Sequence, residues 1–325
     1  MRPVIETKQL RKVFGPVVAV DRISLSVAKG EILGFLGPNG AGKSTTMKMV
    51  TGFLAPTSGS ISVAGVDVLA EPLKTKSLVG YLPEGAPAYP DMTPEGFLSF
   101  VARVRGLSRA ETKRRIATVA DLVHLQGFMR QPIETLSKGY KRRVGLAQAM
   151  LHDPDILILD EPTDGLDPNQ KHEVRELIKD MAGEKCVVLS THILEEVEAV
   201  CTRAVIIAEG KLVADGSPAD LKARADDHNA VVICARGNTD GLPDALRAIY
   251  NVREVQRLGG DSEGLRCLVL PEPGAQIALE VGRLARERNL ELDEFTVKQG
   301  RLDDVFRDLT QRARSNTTES QEATA

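Results

Sequence analysis

Apolar residues come in two kinds of short burst along the first two hundred positions. Residues 4–10 and 23–27 alternate apolar with polar, as strands with one wet face do. Residues 31–36, 156–159 and 186–189 are almost continuously apolar and too short for core helices, which predicts strands buried on both faces. Shorter strands are expected at 61–63 and 79–82, and a hairpin over 203–215 that turns at Glu209-Gly210. Helical spacing fills the gaps: 45–50, 94–105 with Pro94 at its start, the charged stretch 109–123, 138–151 opened by Ser137, and 168–181. Ser217 caps one more short helix. Residues 83–94 hold four prolines, which exclude regular structure and leave either a plain surface loop or a docking loop. The helices after that loop interrupt the strand pattern and predict a helical subdomain over about 84–152. Within them, Lys113-Arg114-Arg115 reads as a solvated face.

A composition shift at 224–229 predicts a linker between a first domain, 1–223, and a second, 230–312. The second reads strand, helix, strand, strand, helix, strand, an order consistent with a small ferredoxin-like α+β domain. It shows no catalytic constellation. The polar stretch 313–325 is expected to be a disordered tail.

Composition narrows the classes. The chain has 325 residues, enough for two domains, with 42% hydrophobic and 27% charged residues, an ordinary globular balance. Aromatics make up 4% and tryptophan is absent, so the core must be aliphatic. A net charge of −3 argues against nucleic acid as a partner. Cys186, Cys201, Cys234 and Cys267 lack metal spacing and read as reduced thiols. No apolar run approaches 18 residues and no apolar signal region opens the chain, so any work at a membrane is expected to go through a partner.

The chemistry is concentrated in Gly37-Pro38-Asn39-Gly40-Ala41-Gly42-Lys43-Ser44, which fits G-x-x-x-x-G-K-[ST] between a buried strand and a helix starting at Thr45. Such a loop points its N–H groups at phosphate oxygens and ends on a helix N-terminus, so it binds the phosphates of a nucleoside triphosphate. Lys43 would reach the β/γ-phosphates, and the Ser44 hydroxyl would ligate Mg²⁺. The motif alone does not separate kinase, GTPase and ATPase. The run 156–159 ends on Asp160-Glu161, two acids at a strand's C-terminal edge, where ligands bind in doubly wound sheets. Asp160 suits Mg²⁺, and Glu161 suits polarising a water. His192 follows another strand at the same edge and is favoured as a phosphate contact. Ser137 opens a helix whose first turn offers a second anion site. Phe14 is either core or a surface on which a base stacks.

In their order, these motifs resemble the nucleotide-binding subunits of ABC transporters. Gly37 to Thr45 is similar to Walker A, Leu136-Ser137-Lys138-Gly139-Tyr140 to the signature, and Ile156 to Glu161 to Walker B. Gly165-Leu166-Asp167 is similar to the D-loop and His192 to the H-loop, and Phe14 falls where the family places its adenine-stacking aromatic. Glu84 stands at the Q-loop glutamine, Lys138 replaces a signature glycine, and Tyr140 replaces a glutamine. With the ending Leu302-Asp303-Asp304-Val305-Phe306, these departures resemble the ABC-2-type exporter branch of gliding-motility, sodium-extrusion and drug-resistance ATPases.

The resemblance implies a P-loop NTPase fold of the ABC ATPase kind, with a mixed sheet, a helical subdomain and the small C-terminal domain. It implies ATP and Mg²⁺, with two ATP sites in a head-to-tail homodimer or heterodimer. Ser137, Lys138, Gly139 and Asp167 would then join Phe14, Glu84 and the P-loop in binding nucleotide, while Glu161, His192 and Lys43 act in hydrolysis. It implies an integral-membrane permease partner and a peripheral location on the cytoplasmic face of the cell membrane. Tyr89, Met92 and Phe97 are the apolar residues expected to receive the permease. Two rivals are a cytosolic ABC protein acting on ribosomes or DNA, and a non-hydrolysing scaffold. A single P-loop and the short span between Thr45 and Leu136 argue against the first. The intact set Lys43, Asp160, Glu161 and His192 argues against the second.

Overall fold

In the computed structural model, which describes residues 3–86, 88–261 and 264–322, the three apolar runs become the middle of one sheet. The chain opens with a long hairpin, β1 (Ile5–Phe14) and β2 (Val17–Val27), followed by β3 (Ile32–Leu36) and helix α1 (Lys43–Val50). Next come β4 (Ser58–Val63), β5 (Val66–Asp67), α2 (Pro72–Leu78) and β6 (Val79–Leu82). The helices α3 (Pro94–Val104), α4 (Arg109–Leu122) and α5 (Lys138–Met150) precede β7 (Ile156–Asp160), α6 (Pro168–Ala182) and β8 (Cys186–Thr191). The helix α7 (Leu194–Val200) leads to the hairpin β9 (Arg203–Ala208) and β10 (Lys211–Gly216), then to α8 (Pro218–Lys222).

Two sheets result. One is antiparallel, ordered β2-β1-β4-β5, and the other has six strands, ordered β10-β9-β3-β8-β7-β6. In the second, β9, β3, β8, β7 and β6 run parallel, and every residue of β3, β7 and β8 is buried. That burial is why these strands read as continuous apolar runs. Register sets the site: Leu36 lies opposite Thr191, and Asp160 opposite Ser190. Three strands therefore end level at one edge, each delivering a motif there.

Local signals explain the helices. Thr93 caps α3 by accepting from the Gly96 N–H at 3.1 Å, and Ser108 with Glu111 forms a reciprocal capping box on α4. Arg115 departs from the expected solvated face: it donates to the carbonyls of Met150 and Leu151, both at 2.9 Å, and so caps the C-terminal end of α5. A guanidinium satisfies the last carbonyls of a helix and suits its negative end.

Contact density divides the chain into two compact units, with Ala219–Asp308 forming the second. It contains β11 (Val231–Arg236), α9 (Leu242–Arg247), β12 (Val252–Asp261), β13 (Gly264–Pro271), α10 (Ala278–Glu287) and β14 (Glu291–Val297). The antiparallel order β12-β13-β11-β14 is the ferredoxin-like arrangement. Its core is apolar: Val231, Ile233, Val269, Leu246 and Val281 lie among its members. Residues 224–229, expected as a linker, are bonded into this unit, with the Asn229 N–H donating to the Lys298 carbonyl at 2.8 Å. The tail also differs from expectation, because α11 (Leu302–Glu322) runs through most of it. Once Leu302 and Val305 are packed, extending a helix needs only one backbone bond per residue, so poor formers can be carried along. Residues 323–325 lie outside the described residues, as does Pro87 in the proline-rich loop.

Candidate active site

The loop between β3 and α1 can turn only because of its glycines. A Cβ on Gly37 would stand 2.4 Å from the Ile207 carbonyl oxygen. Gly42 adopts φ +105°, and a Cβ there would stand 2.5 Å from the Ala19 oxygen. Lys43 is 5% exposed, and its Nζ donates to the carbonyls of Gly37 at 2.6 Å and Pro38 at 3.2 Å. Burial pulls its pKa below the ordinary lysine value, and the charges of Glu161, Asp160 and Glu84 oppose that pull. The loop thus holds a buried cation on its own carbonyls, within the field of three carboxylates. Thr45 lies in the first turn of α1, directly after Ser44.

Asp160, at the end of β7, is 0% exposed. Its Oδ1 accepts from the Ser44 hydroxyl at 3.1 Å and the Ser190 hydroxyl at 2.5 Å, while its Oδ2 is buried with no partner among the described residues. A buried carboxylate oxygen without a donor is costly unless a cation completes it. The orphan oxygen beside a serine hydroxyl and a phosphate-binding loop is a hard-oxygen set that fits Mg²⁺, which binds through one or two carboxylates plus substrate phosphates. The next residue, Glu161, takes the left-handed φ of +50°, and its Oε2 lies 3.1 Å from His192 Nδ1. Its N–H donates to the Ser190 Oγ at 2.9 Å, so one serine hydroxyl organises both acids.

Lys43, Ser44, Asp160, Glu161 and His192 are therefore assembled at one strand edge. Glu84 lies in the turn after β6, exposed, and is close enough for its charge to act on Lys43. Phe14 ends β1 at the hairpin tip, 47% exposed, with Lys12 Nζ 5.1 Å from its ring centre; it is not core. Ser137, Lys138, Gly139 and Asp167 make a second group. Ser137 caps α5 by accepting from the Tyr140 N–H at 3.4 Å, and Asp167 caps α6 by accepting from the Gln170 N–H at 3.0 Å. Lys138 pairs with Asp164 at 3.0 Å, and Gly139 lies against Gln170. Among the described residues, no hydrogen bond or ion pair joins this group to the P-loop.

The sequence reading missed Ser190 and Arg142. Ser190 carries a signal in hindsight: it sits two residues before His192 on a buried strand, and a polar residue there needs a partner. Arg142 donates to the Glu161 carbonyl at 2.6 Å, yet nothing in the charged run 141–143 marks it as buried. Of the expected docking residues, Tyr89 is 55% exposed and Phe97 is buried. Phe97 faces inward, packed edge-on to Tyr89 at 6.2 Å, because its helix turns that face to the core. The apolar depression lies beside them: a cavity of about 1040 Å³ walled by Phe53, Leu73, Tyr81, Glu84, Val104 and Arg105. None of Tyr89, Met92 and Phe97 lines it.

Comparison with known proteins agrees with this geometry. A family model described as ABC transporter matches residues 20–164. The linearmycin resistance ATP-binding protein LnrL of Bacillus subtilis (strain 168) is 36% identical over 78% of this chain and 81% of its own length. The Nod factor export ATP-binding protein I of Paraburkholderia xenovorans (strain LB400) is 33% identical over 95% of this chain and 97% of its own length. A solved ATP-binding subunit of an ABC transporter superposes with a TM-score of 0.63 at 32% identity, covering 67% of this chain and 92% of that one. A dimeric ABC transporter cassette at 22% identity, covering 66% of this chain and 98% of that one, has a TM-score of 0.62 and shares the fold. The chain belongs to the ATP-binding subunits of ABC transporters and is an ATPase of that family.

Proposed function

We propose that this chain hydrolyses ATP to drive an ABC-2-type exporter through a separate permease, and that two ATP molecules are held in a head-to-tail dimer. One observation carries the hydrolytic part: the Asp160 carboxylate is pinned by two serine hydroxyls at one oxygen and left unpartnered at the other, beside the Glu161–His192 pair. Ser44 and Asp160 would hold Mg²⁺, which when bound neutralises charge on the phosphate oxygens. Glu161 polarises the attacking water, oriented by its bond to His192 Nδ1. Lys43 leaves the Gly37 and Pro38 carbonyls for the terminal phosphates, and with His192 it offsets charge on the γ-phosphate. Residues 37–42 and Thr45 wrap the phosphates with N–H groups, and Phe14 presents its exposed ring to the adenine. Glu84, whose charge acts on Lys43, would approach a bound Mg²⁺ through water.

In the dimer, Ser137, Lys138, Gly139 and Asp167 meet the partner's nucleotide. Ser137 and Lys138 are exposed at the N-terminus of α5, a geometry suited to anions. The Lys138–Asp164 pair is solvated and therefore weak, so exchanging it for a phosphate contact costs little. The subunit is peripheral, on the cytoplasmic face, and reaches the bilayer through its permease; no helix among the described residues is long and apolar enough to cross a membrane. The cavity walled by Phe53, Leu73 and Val104 supports a docking groove for an apolar permease helix, since these side chains are 74%, 84% and 71% exposed. The names of the similar proteins, one for linearmycin resistance and one for Nod factor export, favour the export direction.

Gentle detergent purification of the tagged chain from its native membranes tests this. A multi-span membrane protein at stoichiometric ratio, lost on Leu73→Glu, is the expected result. Recovery with soluble partners alone would leave an ATPase and remove the transporter.

A further inference from the structure

Glu161 is held in a backbone conformation it would not choose. A φ of +50° at a non-glycine residue costs on the order of 1–3 kcal/mol and persists only when its surroundings over-determine it. Both of its main-chain groups are fixed by side chains: the N–H by Ser190 Oγ at 2.9 Å, and the carbonyl by an Arg142 guanidinium N–H at 2.6 Å. Arg142 lies on α5, 3% exposed, and its other terminal nitrogen reaches the Pro83 carbonyl at 3.5 Å. No carboxylate lies within ion-pair distance of it in the described residues; its bonds go to carbonyls. Burying a guanidinium on carbonyls is costly, and a methionine of similar length would fill the space without that cost. The charges of Asp164, Glu161, Asp160 and Glu84 bear on the guanidinium and counter its desolvation.

We propose that Arg142 is a positioning residue for ATP hydrolysis: by bonding the Glu161 carbonyl it locks the left-handed peptide that aims the Glu161 carboxylate at the water and at His192. The inference rests on the reading of Glu161 given above. Without Arg142 the peptide relaxes toward an ordinary φ, the carboxylate swings off its line, and nucleotide binding at the P-loop is untouched.

The test compares Arg142→Met and Arg142→Lys with wild type in the full chain, measuring kcat, the ATP dissociation constant and the melting temperature. Arg142→Met lowers kcat roughly 10- to 100-fold, the scale expected when a reacting group is misplaced by about an ångström. The ATP dissociation constant stays within about threefold, and Arg142→Lys, which keeps one donor, recovers part of the rate. In a Glu161→Gln background, Arg142→Met removes less than about twofold more, because the two act as a unit. A wild-type kcat in Arg142→Met overturns the inference, whatever happens to the melting temperature. So does a loss of the same size in both backgrounds. If Arg142→Met fails to fold, Arg142→Lys carries the same comparison. A slow Glu161→Gln with a fast Arg142→Met sinks this inference alone, whereas a fast Glu161→Gln sinks the reading of Glu161 and this inference with it.

Discussion

Among the described residues, the side chains that are both buried and polar or charged lie in the first unit: Lys43, Arg142, Asp160, Ser190, Thr191 and Glu196 are examples. The second unit buries Val231, Ile233, Leu246, Val269 and their neighbours and, among the described residues, no charged group with them. Burying a polar group costs free energy unless its bonds are remade, and a buried charge costs more. The first unit meets much of that cost with remade bonds. Glu196, for example, receives the hydroxyls of Thr163 at 2.5 Å and Thr191 at 2.7 Å. Several of the unit's buried polar atoms, including Tyr81 Oη, Arg143 Nε and both His152 ring nitrogens, keep no partner among the described residues; Asp160 Oδ2 is the one on a carboxylate, and it lies where the chemistry is assigned. The first unit carries buried charge around its candidate site, whereas the described core of the second is packed from apolar side chains.

The comparison can be broken by exchanging the effects. Asp160→Asn keeps the shape and removes the charge; kcat is expected to fall about a thousandfold, ~4 kcal/mol in the barrier, with no loss of stability to urea. A variant that loses stability instead, with kcat intact, would make Asp160 a core residue. In the second unit, Ile233→Ala is expected to cost about 2–5 kcal/mol in that unit's unfolding and to leave kcat within about twofold. A kcat falling in step would end the division of labour. Phe14→Ala should raise the ATP dissociation constant about threefold to tenfold, the worth of one stacked ring, and Phe14→Trp should restore it. An unchanged constant would return Phe14 to the exposed surface without a role.

The smallest effect at neutral pH concerns His152, beside the first unit's sheet. Burial, helped by the Arg105 charge, pushes its pKa down from 6.5 to about 4. The unfolded chain therefore binds a proton that the folded chain refuses between those values. The neutral imidazole's contribution is complete above about pH 6.5 and is lost as pH falls toward 4. Replacing it in His152→Leu should flatten the acid limb of the stability profile, by about 1 kcal/mol near pH 5.5. An acid limb of unchanged slope would show that His152 titrates freely.

Much of this was legible because the signals are local. The P-loop, the Asp160-Glu161 strand end and His192 each lie within a few residues of the apolar run that places them. The strand and helix order of the second unit follows from period alone. What escaped depends on contacts across the chain. Ser190 acts on Asp160 only because β8 and β7 are in register, and Arg142 acts on Glu161 only because α5 packs beneath it. The groove gathers Phe53, Leu73 and Val104 from three separate stretches of the chain, so no window of sequence holds it. The helices α2 and α7, seven residues each, are too short for a periodic signal. The strands β1 and β2 run further toward Phe14 than alternation suggested, because register shifts between Thr7, Leu10 and Lys12 break the period.

The most direct test of the account is to follow ATP on purified Glu161→Gln beside wild type. The account predicts that the variant binds and retains ATP at wild-type affinity while turnover falls by about 10²- to 10⁴-fold, the worth of a positioned general base. Turnover near the wild-type rate would contradict it and move the hydrolytic role away from the end of β7.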